Sequence, residues 1–133
     1  MLNQSMIEKR ALQVAVAIAG LVPVIAGTAG ALQPRLLSLD GAAQALTHAA
    51  YLSGLLLGIG LAFWSLVPAI ERHRRLFTTL TAIVAVGGLA RLALAARLHA
   101  WGVPVLMPLA MELGVTPLLC LWQRRVSSLL GPE

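Results

Sequence analysis

Between Ala11 and Pro34 the chain carries no Asp, Glu, Lys or Arg, and between Leu46 and Ile70 it again carries none. Two more apolar stretches follow, Leu76 to about Leu98 and Val103 to Trp122, the first interrupted by Arg91 and the second by Glu112. A helix rising about 1.5 Å per residue needs roughly 20 apolar residues to cross the hydrocarbon core of a bilayer. The pattern therefore predicts an all-α integral membrane protein. Residues 1–133 are expected to form one domain, a four-helix bundle of antiparallel, up-down topology, with spans near 11–31, 46–70, 76–98 and 103–122. Composition agrees: 11% of residues are charged and mean hydropathy is +0.85, whereas a soluble domain is about 25% charged. Four spans leave only short loops and tails, so any chemistry is expected among the helices or at their ends.

The boundaries have local causes. Glu8, Lys9 and Arg10 precede the first span, and Pro23 within it is tolerated because neighbours in a membrane satisfy the carbonyl it frees. A secretory signal peptide is the competing reading of this run, given the small residues Thr28-Ala29-Gly30-Ala31. The run is longer than the usual apolar core of such a peptide, and three more spans follow it. Residues Leu32 to Ala45 are expected to form a greasy loop, with Pro34 stopping the helix and Asp40-Gly41 turning the chain. Pro68 and the run Glu71-Arg72-His73-Arg74-Arg75 close the second span. A tight turn at His99-Ala100-Trp101-Gly102, with Pro104 opening the next helix, joins the third span to the fourth.

The net charge of +5 and a pI near 11.2 do not imply nucleic acid, because the basic residues flank apolar segments instead of forming a soluble basic face. There they orient the helices and meet anionic lipid headgroups. One side collects Lys9, Arg10, Arg72, Arg74, Arg75, Arg124 and Arg125, and the other only Arg35 and Arg97. That asymmetry predicts cytoplasmic N and C termini in a bacterial inner membrane. Arginine outnumbers lysine nine to one in an alanine- and leucine-rich chain, which suggests a bacterial, GC-rich source. The single cysteine, Cys120, excludes an intramolecular disulfide and is expected to be a buried, inert thiol.

Ionisable groups at membrane depth are the strongest functional pointers here, since each costs about 2.5–3.5 kcal/mol at mid-helix and normally faces a partner or a cavity. Arg91 and Glu112 lie nearly equidistant from the turn at residues 99–102, so in an antiparallel hairpin they share a depth. Gly87 and Gly88 leave room one turn before Arg91. Thr116 follows Glu112 by one turn, and Pro108 and Pro117 flank the acid and free backbone carbonyls. His48 and Tyr51 share a face in the half of the second span expected at similar depth. Arg91, Glu112, His48, Tyr51 and Thr116 are thus candidate ligand-binding residues, lining an outward-opening pocket bounded by the second, third and fourth helices. Gly54 and Gly58, at small-xxx-small spacing, together with Gly87 and Gly88, are candidate helix-packing positions.

Plainer readings stand beside these. A buried Arg–Glu pair can serve only to fix helix register, His48 can be an interfacial histidine, and Tyr51, Trp64, Trp101 and Trp122 suit an aromatic belt. His48, His73 and His99 are dispersed without ligand spacing, so no metal and no cofactor are expected. There is no phosphate loop, no Ser/His/Asp arrangement and no second buried acid for two-carboxylate hydrolysis.

The string Tyr51-Leu52-Ser53-Gly54-Leu55-Leu56-Leu57-Gly58-Ile59-Gly60-Leu61 resembles the second helix of the bacterial domain-of-unknown-function 4345 family. Gly87-Gly88-Leu89-Ala90-Arg91 and Met111-Glu112-Leu113-Gly114-Val115-Thr116-Pro117 resemble two further stretches of it. The resemblance extends from the first helix to Gln123-Arg124-Arg125. It implies a small four-helix bacterial membrane protein with Arg91 and Glu112 as motif positions, and no defined reaction. A similarity to DoxX-like four-helix proteins is fold-level analogy.

The resulting expectation is a small polytopic inner-membrane protein whose Arg91–Glu112 pair lines a pocket for a lipid or small amphipathic ligand. Its partners would be membrane lipids, with a homo-oligomer or another membrane protein as further candidates, and no nucleic acid. Three rivals remain. A proton-coupled transporter of the small multidrug type would use Glu112 as carrier, although that family places its acid in the first helix and not beside an arginine. A lipid or isoprenoid enzyme would use Glu112 as acid or base and Arg91 as anion binder. A structural subunit would dock another helix on the Gly54/Gly58 face.

Overall fold

The computed structural model describes residues 2–32 and 43–130. The loop expected at Pro34 and Asp40-Gly41, with Arg35, lies outside the described residues. The described chain is entirely helical between its turns. Helix α1 is Leu2–Leu32 and α2 is Ala43–Leu66, continued by a 3-10 turn at Val67–Ala69. Helix α3 is Arg74–Leu98. The fourth apolar segment is one continuous helical path made of α4 (Val103–Ala110), a π-helical turn (Met111–Val115) and α5 (Thr116–Leu130). Among the described residues four helical segments are long and apolar enough to cross a membrane: Asn3–Leu32, Ala45–Ala69, Arg74–Leu98 and Val103–Leu130.

Burial differs from that of a soluble protein, with many large apolar side chains left on the outside and several polar ones inside. Val14, Ile18, Leu21, Val22 and Ile25 of α1 are exposed, while Ser53, Thr81, Gln123 and Ser127 are buried. Lipid tails are as apolar as leucine, so exposed aliphatic side chains carry no penalty there and polar groups turn inward. In water the same surface would form apolar patches far larger than soluble monomers tolerate.

The chain divides into two compact units, Val14–Val67 and Met1–Gln13 with Pro68–Glu133. In the first, α1 and α2 run antiparallel, with their contacts in opposite order along the two helices. The indole of Trp64 lies over Gly20, Val24 meets Gly60, and Gly27 meets Leu57 and Ser53. A Cβ on Gly27 would stand 2.5 Å from Leu57 N and 2.7 Å from Ser53 O, so glycine is what allows backbone to touch backbone at this crossing. Trp64 Nε1 donates to Ala17 O at 3.0 Å, and Thr28 Oγ1 donates to Val24 O at 2.7 Å. Each polar side chain thus satisfies itself on a backbone carbonyl, as membrane depth requires.

In the second unit α3 packs along α4, the π turn and α5 as a hairpin. Its inward stripe is Phe77, Leu80, Thr81, Gly88 and Ala95, and α5 contributes Cys120, Gln123, Val126 and Ser127. Both stripes are spaced by three, four or seven residues, the intervals that keep side chains on one helix face. The α3–α4 turn is closed by His99 in the left-handed region, φ 52 and ψ 34. Ala100 N–H donates to Ala95 O at 3.0 Å, and Val105 and Leu106 N–H both donate to Gly102 O at 3.0 Å.

Helices α1 and α5 run past their apolar segments because polar contacts hold their ends. Lys9 Nζ donates to Glu71 Oε1 at 2.9 Å, Arg125 Nη2 donates to Glu8 Oε1 at 3.3 Å, and Gln123 Nε2 donates to Ile70 O at 2.8 Å. Gln123 is completely buried, and its Oε1 has no partner among the described residues.

Candidate functional site

The fourth segment cannot remain a regular α-helix. Pro108 and Pro117 each remove a backbone donor, so the ladder on either side of Glu112 loses rungs. It answers with the π-helical turn Met111–Val115, in which Glu112 is the second residue. Thr116 closes this turn twice over: its N–H reaches back to Met111 O, and its Oγ1 donates to the same oxygen at 2.8 Å. Inserted residues of this kind redirect side chains and recur at functional positions.

Gly88 sets how closely this turn approaches α3. A Cβ there would lie 2.9 Å from Glu112 Cβ and 2.9 Å from Leu113 Cδ2, so the glycine brings the root of the acid against α3. Arg91 sits three residues further along the same face, one turn away. Its guanidinium meets the carboxylate edge to edge, with Nε donating to Oε2 and Nη2 to Oε1, both at 3.1 Å. Two parallel charge-assisted bonds fix orientation as well as distance.

Exposure of the pair is unequal. The Glu112 side chain is 18% exposed and that of Arg91 is 43% exposed. The carboxylate is held within the hairpin, whereas the far edge of the guanidinium opens outward, and among the described residues Nη1 donates to nothing. Arg91 lies seven residues before Leu98, about 10 Å along the helix axis.

The remaining expected site residues have these surroundings. His48 and Tyr51 are exposed side chains on α2, in the Val14–Val67 unit, whereas Arg91, Glu112 and Thr116 belong to the other unit. Gly54, Gly58 and Gly87 open onto free space, with nothing within 4 Å of an added Cβ. Among the described residues no three His, Cys, Asp or Glu side chains are grouped to hold a metal. Cys120 is buried, its sulfur 3.8 Å from Thr78 Oγ1.

Two features escaped sequence reasoning. The first is the π turn, of which the only trace was two prolines and a threonine around one acid. The second is the pairing of Glu71 with Lys9. Burial by itself would raise the Glu71 carboxyl. The Lys9 hydrogen bond, a backbone hydrogen bond of Glu71 itself and the charges of Lys9 and Arg72 outweigh it and hold the group below the ordinary glutamate value.

No curated protein and no solved structure matches the chain. The family model described as "Domain of unknown function (DUF4345)" matches residues 11–123, which takes in α2, α3, α4 and the π turn with both Arg91 and Glu112. On that match the chain belongs to the DUF4345 family and is a small, multi-pass protein of the bacterial inner membrane.

Proposed function

We propose that the protein binds an amphipathic molecule, a membrane lipid or one built like it, whose polar head is read by Arg91 while Glu112 holds the arginine in place. The observation carrying this reading is the uneven exposure of the pair, with its open guanidinium edge. A pair serving only to lock two helices would close both edges, because N–H groups left facing hydrocarbon are costly. An acceptor-bearing head, phosphate or carboxylate, would complete the donor set that the carboxylate leaves unfilled. The Thr116 hydroxyl is spent on Met111 O, so its part is to hold the π turn and not to touch the ligand. With the termini in the cytoplasm, as the Lys and Arg count favours, the 99–102 turn faces outward and the head would enter from the outer leaflet.

A second reading has its own support: the bidentate geometry is what a register lock between α3 and the π turn would use. Native mass spectrometry of the gently extracted protein, beside Glu112→Gln, separates the two. Ligand binding predicts a specific lipid or metabolite on the wild type that is lost from the variant. An empty wild type, with a variant that only melts earlier, leaves the lock and removes the binding site.

A further inference from the structure

We infer, resting on the reading that Arg91 binds an amphiphile, that the bound head is a carboxylate ending a single acyl chain and that Gly87 is the floor on which it lies. Successive residues of a helix are turned by about 100°. Around α3, Arg91 therefore points between two glycines, about 60° from Gly88 and about 40° from Gly87. The Gly88 flank is closed, with Glu112 Cβ and the Leu113 side chain against it. The Gly87 flank is bare: the residue is exposed, and a Cβ there would meet nothing within 4 Å. Side chains lean toward the start of their helix, so the guanidinium lies at the level of these glycines. Its one side meets the acid, and its other side overlooks uncovered backbone. Position 87, a packing glycine by sequence, is thus open room beside a cation.

The donors left over suit one carboxylate. Glu112 takes the Nε N–H and one N–H of Nη2. A guanidinium has five N–H donors, so among the described residues the second N–H of Nη2 and both of Nη1 stay available. Together they form the end of the fork, whose parallel N–H groups match two oxygens of a single anion. The charge count admits no second one. The Arg91–Glu112 pair is neutral, and the only other Lys, Arg or His within residues 76–98 and 103–122 is Arg97, six residues on and turned about 120° away.

Depth separates a carboxylate from a phospholipid head. The segment Arg74–Leu98 has 25 residues, a length of about 37 Å against a hydrocarbon core of about 30 Å. A centred helix then puts Arg91 about 7 Å below the hydrocarbon boundary at the 99–102 end. Headgroup phosphates lie beyond that boundary, so a two-chain phospholipid would have to sink bodily with its phosphodiester ionised. A carboxylic acid slides in as its neutral form, which desolvation favours. It leaves its proton to the water at that end once the guanidinium holds the carboxylate. Its chain then runs over Ile83, which is exposed one turn deeper on the same flank.

The test places the full-length protein in phosphatidylcholine nanodiscs and titrates it with palmitate, methyl palmitate or phosphatidylglycerol, reading the molecules retained by native mass spectrometry. The wild type is expected to retain palmitate, and to hold the ester and phosphatidylglycerol about tenfold or more weakly. G87L puts a side chain on the floor and spares the Arg91–Glu112 bonds, and should weaken palmitate retention about tenfold or more. G54L, at another glycine with nothing within 4 Å of its Cβ, should bind as wild type. The comparison of heads on the wild type needs no variant and stands even where G87L does not fold. Phosphatidylglycerol retained in preference to palmitate overturns the carboxylate; if R91Q abolishes that retention, the amphiphile reading survives alone. Palmitate retention in folded G87L equal to wild type, or an equal loss in G54L, overturns Gly87 as the floor. Retention of none of the three, or palmitate held equally by R91Q, overturns the amphiphile reading and the carboxylate with it.

Discussion

Arg91 and Glu112 are joined edge to edge by two hydrogen bonds of 3.1 Å, and a glycine one turn before the arginine lets the acid's backbone reach it. Three separate sequence decisions therefore meet in one contact: a missing side chain at position 88, a π turn after Ala110 and a threonine that closes it. Each can be perturbed alone, and each makes a different prediction.

The pair itself is expected to be energetically coupled. Arg91→Ala and Glu112→Ala should each lower stability in detergent unfolding, and the double variant should be milder than their sum by about 1–2 kcal/mol. The upper part of that range belongs to a fully buried pair; the open Arg91 edge shifts the expectation toward the lower part. Strict additivity in the cycle would mean that the two residues do not depend on each other.

Gly88 and its neighbour give a sharper contrast. Gly88→Ala places a methyl 2.9 Å from Glu112 Cβ, so the hairpin must open, at a cost of about 1–3 kcal/mol. Gly87→Ala meets nothing within 4 Å and should be neutral or stabilising by up to about 1 kcal/mol through helix propensity. Thermal melts of the two variants should therefore move in opposite directions or, at the least, differ clearly. Equal melts would show that the α3 contact at Glu112 is loose enough to admit a methyl.

How far these contacts were legible in the sequence depends on their range. The four membrane segments were readable because hydropathy and charge are local quantities, and a run such as Leu46–Ile70 needs no tertiary context. The Arg91–Glu112 contact was readable because a tight turn at residues 99–102 converts sequence distance into depth. The π turn was not, because Pro108 and Pro117 announce lost hydrogen bonds without saying whether a kink or an inserted residue absorbs them. Gly54 and Gly58 form a motif on one helix, yet the close approaches in their unit are at Gly20, Gly27 and Gly60. Which glycine meets a backbone is decided by the register of the partner helix. Lys9 and Glu71 are 62 residues apart, and sequence reasoning treats such end charges as orientation signals, not as partners.

The Lys9–Glu71 contact predicts acid sensitivity. The folded-state carboxyl of Glu71 titrates below the ordinary glutamate range, so the unfolded chain takes up its proton at higher pH than the folded one. Its stabilising contribution is fully present above about pH 4.3, the ordinary value, and is lost as pH falls through the lower folded value. Melting temperature should drop between about pH 5 and pH 3, and Glu71→Gln should remove part of that slope while lowering stability at neutral pH. A slope identical in the variant would assign the acid sensitivity to other groups.

Thr116→Val tests the closure of the π turn. The variant keeps the volume and the backbone N–H but loses the hydroxyl that donates to Met111 O at 2.8 Å. A loss of about 1 kcal/mol is expected. It should be accompanied by faster hydrogen exchange at residues 111–116, since the lost bond spans that turn. A stability loss without a local exchange change would mean that the hydroxyl acts through packing and not through the turn.

His99 ends α3 with φ at 52, a region where a Cβ crowds the following carbonyl and glycine does not. The backbone bonds of the cap, Ala100 N–H to Ala95 O and His99 N–H to Ala96 O, do not involve the imidazole. Replacing His99 by glycine should therefore keep the cap and remove the strain, raising stability by about 0.5–1 kcal/mol after the larger unfolded-state entropy of glycine is counted. His99→Val should do the reverse, because a β-branched side chain tolerates this conformation least. Opposite shifts in melting temperature would establish the turn as a backbone device. A loss of stability in both variants would instead show that the imidazole itself holds the α3–α4 turn, and would give this exposed histidine a contact of its own outside the hairpin.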